Sequence, residues 1–168
     1  WVLPTIIILT LFLLSTRAAF SATMDDGYQH YKNGDYEKAL QIWRMLPDDC
    51  LALYNINRLY NKGQGVEENE EKEAEYAIKS AECLERHPDG TWMLKPYHYA
   101  GVHYLFGQGT EQNLEKAMYW FKKGARNGDP RGSLNVGSLY KNQFDDRAKA
   151  WAFYTLAVEQ GGATTNTG

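Results

Sequence analysis

Apolar positions recur along this chain with the period of a helix. Leu114, Ala117, Met118, Phe121 and Ala125 are spaced by three and four, which marks one buried helical face. Trp120 lies next to that stripe. Asn113 is suited to cap the start of this helix, and Gly128-Asp129-Pro130 stops it. The segment before it, roughly Tyr97 to Phe106, reads as a partner helix. Tyr36, Ala39, Leu40, Trp43 and Leu46 repeat the same spacing after the tight turn Asn33-Gly34-Asp35, so residues 24–50 read as an opening helical hairpin. The first segment has no such period: Ile6 to Leu14 is an almost unbroken aliphatic run.

The helical pattern is also internally repeated. Tyr60-Asn61-Lys62-Gly63-Gln64-Gly65 matches Tyr104-Leu105-Phe106-Gly107-Gln108-Gly109. The match continues without a gap: Lys72 takes the place of Lys116, Tyr76 that of Trp120, and Ala81 that of Ala125. A looser third unit follows through Gly137, Tyr140, Lys149, Ala150, Ala157 and Gly161. Self-similarity at this period is the signature of a helical repeat array.

The paired glycines, Gly107 and Gly109, raise the question of a phosphate cradle. A dinucleotide-binding G-x-G-x-x-G needs a strand before it and a third glycine. Here a helical segment precedes the pair, and Gln112 stands where the third glycine would be. The glycines fit better as a helix C-cap followed by a left-handed turn.

The units resemble Sel-one-like repeats (SLR), a tetratricopeptide-like class of α-solenoid. The second unit carries the pattern at Ala100, Gly101, Tyr104, Gly107, Gly109, Asn113, Lys116, Ala117, Trp120, Lys123, Ala125 and Gly128. The first carries it at Ala52, Ile56, Tyr60, Gly63, Gly65, Val66, Asn69, Lys72, Tyr76, Lys79 and Ala81, and departs at Asn57 for Gly and Glu73 for Ala. The third lacks the G-x-G. Gly34-Asp35-Tyr36-Glu37-Lys38-Ala39-Leu40 followed by Trp43 looks like the opening hairpin of bacterial secreted members. The resemblance implies an all-α, right-handed α-solenoid of antiparallel helical hairpins, with an adaptor function and no shared catalytic residue. The expected organisation is a signal peptide over 1–22 and a solenoid over 23–161. Within the solenoid, repeats span 51–85, 96–128 and 129–161; a disordered tail covers 162–168.

Composition changes this picture only in detail. Of 168 residues, 12 are Tyr and 5 are Trp, and the net charge is −3. The acidic balance speaks against a nucleic-acid partner. Ile6–Leu14 is short for a membrane span, and the small residues Ala18, Ala19, Ser21 and Ala22 follow it, as in a cleaved secretory signal. The expectation is a secreted or periplasmic protein with no stable membrane span once the signal is removed. An uncleaved anchor is the alternative.

Cys50 and Cys83, the two cysteines, bracket the first full unit. Folding that unit as a hairpin brings them together, and secretion favours a disulfide; cysteine-rich secreted members of the family agree. Two independent buried thiols are the alternative. His98 and His103 are five apart, off the spacing of a helical metal pair, and no cofactor is expected. Ser138-Leu139-Tyr140-Lys141 matches S-x-x-K of penicillin-interacting enzymes without its companion motifs. It supports a second reading, a cell-wall or β-lactam hydrolase. A third reading is a structural assembly subunit joined through open solenoid ends. The acidic run Glu67–Glu75 reads as a solvated helix start.

The leading reading is an adaptor that holds an unknown protein partner on the concave face lined by the first helices. Positions five and two before each repeat tyrosine share a face. They are Asn55 and Arg58, Tyr99 and Val102, Asn135 and Ser138; His103 adjoins them. Their side chains are either exposed to a partner or, for some of them, packed against the next unit. Trp92 and Met93, in the extra connection 86–96, are either tucked into the stack or anchors for a partner.

Overall fold

The computed structural model describes residues 22–87 and 93–165. The apolar run at the start of the chain and Trp92 lie outside the described residues. Among those described, the chain is all helix: α1 (Met24–Lys32), α2 (Tyr36–Arg44), α3 (Cys50–Lys62), α4 (Glu70–Arg86), α5 (Lys95–Phe106), α6 (Leu114–Arg126), α7 (Pro130–Gln143) and α8 (Arg147–Thr165). Consecutive helices pair into four hairpins. The second helix of each hairpin packs on the first helix of the next, and α5 also touches α7 directly. The first helices therefore line the inner side of a solenoid.

Short polar side chains start most of these helices. Thr23 and Asp26 form a reciprocal capping box on α1, the arrangement that satisfies two orphan backbone donors at once. Asp49 Oδ1 accepts from the Leu51 and Ala52 N–H groups at 2.9 Å. Asn69 and Asn113 accept from Lys72 and Lys116 N–H at 2.8 and 2.9 Å, so Asn113 caps α6 as the sequence predicts. α5 begins at Lys95, two residues before the expected Tyr97, because Pro96 fits a first helical turn.

Gly63 and Gly107 cap α3 and α5 in the left-handed conformation, with φ of 60° and 70°. The second glycine of each pair does more than turn. A Cβ on Gly65 would lie 2.5 Å from Glu37 N, and one on Gly109 would lie 2.0 Å from Glu70 O. Each loop thus rests on the start of the second helix in the preceding hairpin. In the last hairpin, which lacks the pair, Asp145 takes the left-handed position at φ 47°.

Inside the hairpins a glycine makes room for an aromatic ring. Gly27 lies under Trp43, Gly101 under Phe121 and Gly137 under Tyr154. The second hairpin solves the same problem in reverse. Asn57 replaces the glycine, buried Ala77 replaces the ring, and Asn57 Nδ2 donates to Glu73 O at 2.8 Å. Trp43, Ile56, Leu59, Phe121 and Val136 are all 1% exposed or less. Each contributes on the order of 1.5–3 kcal/mol by leaving water.

Cys50 and Cys83 form a disulfide across the α3–α4 hairpin, with Cα atoms 5.4 Å apart. The alternative of two separate thiols is set aside. Met93 is tucked into the stack at 6% exposure, in the cluster with Tyr54, Tyr97 and Trp120. α8 continues to Thr165, past residue 161, where the sequence pattern predicts the start of a disordered tail. No proline interrupts 162–165, and extending a formed helix needs no new nucleus.

Candidate functional site

The inner surface is a ladder of side chains that touch from one first helix to the next. On α3, the Arg58 guanidinium lies 5.7 Å from the Tyr31 ring centroid and 5.9 Å from that of Tyr54. The Tyr54 and Tyr99 rings are 6.1 Å apart across the α3–α5 joint. On α5, His98 packs edge-on to Tyr99 at 5.7 Å. His98 Nδ1 lies 3.1 Å from Asn135 Nδ2 on α7. An amide nitrogen is a donor only, so Nδ1 accepts and the ring proton sits on Nε2. Four first helices are joined in this way.

The ladder has its own electrostatics. Burial pushes the Tyr54 hydroxyl above its ordinary pKa; Tyr99 adds to the rise, and Arg58 and Arg131 oppose it. Burial likewise holds His98 below its ordinary value, aided by Arg131 and opposed by Asp129. His98 is thus kept neutral, as its bond from Asn135 requires.

The expected row is only partly open. Arg58, Tyr99, Val102, Asn135 and Ser138 are half-buried. Asn55 and His103 are buried at 7% and 4% exposure, so neither is an exposed contact for a partner. His103 is taken up by its own loop and the preceding hairpin. Its Nδ1 is 2.8 Å from Gln108 O, and its Nε2 faces Glu73 Oε1 at 3.6 Å. Asn55 Oδ1 faces Arg58 Nη1 at 3.5 Å. Spacing identifies a helix face, but the neighbouring hairpin decides how much of that face stays open.

Two clefts open on this side. One of 530 Å³ lies between α1 and α3 and is lined by Tyr28, Leu51, Tyr54 and Arg58 among others. The other, of 540 Å³, runs under Tyr99, Val102 and His103 toward Glu73 and Asn61. Tyr28, Tyr31, Tyr54 and His98 are not among the site residues expected from spacing. The unusual density of Tyr in the first helices was the available signal. Ser138 Oγ lies 3.4 Å from Tyr154 Oη, and Lys141 is exposed. Among the described residues the two S-x-x-K side chains make no hydrogen bond with each other, so the arrangement shows no activated nucleophile.

A joint on the other side of the stack is polar. Glu85 on α4 receives hydrogen bonds from Lys123 and Tyr119 on α6. Burial raises the Glu85 pKa, but these two partners outweigh it and hold the carboxyl below its ordinary value.

A family model described as Sel1 repeat matches residues 51–83, 97–129 and 135–162, together more than half of the chain. Solved structures share the fold. One is the Sel1 repeat protein from Oxalobacter formigenes, with a TM-score of 0.67 at 22% identity, over 83% of this chain and 56% of that one. Another is c5321, a protective antigen present in uropathogenic Escherichia coli strains and displaying an SLR fold. It matches with a TM-score of 0.65 at 21% identity, over 75% of this chain and 26% of that one. The chain therefore spans less than two thirds of either structure's length, and at these identities the likeness is one of fold. No helix among the described residues is long and apolar enough to cross a membrane.

Proposed function

The chain belongs to the Sel1 repeat family, whose members generally mediate protein–protein interaction, and we propose that it is an adaptor or regulatory scaffold of the bacterial cell envelope. It holds an extended segment of a protein partner along its concave face. The observation that carries this reading is the continuous ladder Tyr31–Arg58–Tyr54–Tyr99–His98–Asn135. Aromatic and arginine side chains dominate protein recognition sites. Here they are held by one another before any partner arrives, so little side-chain freedom is lost on binding.

The envelope location rests on the apolar run Ile6–Leu14 and on the Cys50–Cys83 bridge, a bond that persists in oxidising compartments. The adaptor works without chemistry of its own. The test is a cross-linked pull-down from the cell envelope, with wild type beside Tyr99→Ala. A heterologous protein captured by wild type and lost with Tyr99→Ala is expected. Capture of no other protein, or equal capture by both, overturns the reading.

A further inference from the structure

Arg58 is the cation at the head of the ladder. Its Nη2 lies 3.4 Å from Tyr31 Oη and its Nη1 lies 3.5 Å from Asn55 Oδ1, while two tyrosine rings flank the guanidinium. Among the described residues no carboxylate pairs with it. Asp25 is on the lining of the same 530 Å³ cleft, but it makes no ion pair with Arg58; its Oδ1 accepts from Gln29 Nε2 at 3.4 Å. The rest of the wall includes the apolar and aromatic side chains of Met24, Tyr28, Leu51 and Tyr54. At the matching positions of the next two hairpins stand neutral Val102 and Ser138; the other cation beside the ladder, Arg131 on α7, is already paired with Asp129.

We propose that Arg58 recognises an acidic side chain in the bound segment. The partner's segment carries an Asp or Glu beside an apolar residue, at the end that lies over α1 and α3. This rests on the concave-face reading above and adds its chemistry and its polarity. A guanidinium presents a planar fork of donors that matches a carboxylate. Packing between tyrosines fixes that fork in advance, and the apolar side chains of the wall suit a neighbouring apolar residue of the segment.

The test selects random phage-displayed peptides on the disulfide-bonded chain, then synthesises the winners with each acidic residue as Glu or Gln. The expected result is enrichment of Asp and Glu, with wild type preferring the Glu peptide about tenfold or more. Arg58→Gln binds both forms alike, and Arg58→Lys keeps part of the preference, which separates lost charge from lost fold. Equal binding of Glu and Gln peptides by wild type, or a preference that survives Arg58→Gln, overturns the proposal. Selected peptides without acid residues whose binding is lost with Tyr99→Ala overturn it while leaving the concave-face reading standing. Failure to select any peptide overturns both.

Discussion

Gly109 lies so close to Glu70 that a Cβ on it would come within 2.0 Å of the Glu70 carbonyl oxygen. One glycine meets two demands at that point: a left-handed backbone, at φ +64°, and contact with the preceding hairpin. Gly34, at φ +80°, is open: a Cβ there would have nothing within 4 Å. Gly34→Ala therefore costs only the backbone strain, about 1–2 kcal/mol. Gly109→Ala adds a backbone clash and costs about 1–3 kcal/mol more. Urea unfolding of the two variants checks the order; equal losses would mean that the loop does not rest on α4.

The glycine–ring exchange inside the hairpins gives a coupled prediction. Gly101→Ala places a Cβ 2.4 Å from the Phe121 ring and destabilises by about 1–3 kcal/mol. Phe121→Ala costs about 3–5 kcal/mol through the cavity it leaves. Gly101→Asn with Phe121→Ala imitates Asn57 and Ala77, and is expected to be more stable than the sum of its single changes. A double-mutant cycle measures that coupling; strict additivity would contradict the exchange.

The disulfide closes a loop with a sequence separation of 33. Cys50→Ala with Cys83→Ala is expected to cost about 2–4 kcal/mol, read as a lower melting temperature than that of the oxidised protein. Reducing agent should lower the wild-type melting temperature toward that of the variant and leave the variant unchanged.

His98 gives the ladder a pH limit. Its folded-state pKa is depressed, so the unfolded chain takes up a proton first as pH falls. The stability it contributes is present above the ordinary value of 6.5 and is lost as pH drops through the folded value. Protonation also removes the acceptor that Asn135 uses. Melting temperature should fall between neutral and mildly acidic pH, and less so in His98→Gln. An identical fall in both proteins would assign the effect to groups other than His98. The Glu85 contribution, by the same reasoning for a depressed carboxyl, is present above 4.5 and lost at lower pH.

The hairpins, their caps and the loop glycines were legible in the sequence because they depend on local spacing. Asn113, Gly63 and Gly107 act where the pattern puts them. The candidate site was less legible. Asn55 shares the helix position of the more open Tyr99 and Asn135, and His103 adjoins Val102, yet contacts with Arg58, Gln108 and Glu73 close them in. Spacing alone does not place His98 in the ladder, because its partner, Asn135, lies 37 positions along the chain. The contacts of His103 with Glu73 and of His98 with Asn135 cross between hairpins and leave no local period. The seat of Gly109 on Glu70 was half visible: its turn could be read, its neighbour could not.

The concave face, and not the outer end of the stack, is the proposed seat of the partner. A photo-cross-linking residue placed at Val102, in the cleft beside Tyr99, tests this against one placed at Trp151, which is 74% exposed on α8. The expected result is a cross-link to a heterologous protein from Val102 and none from Trp151. A cross-link from Trp151 alone, or one to a second copy of this chain, would contradict it.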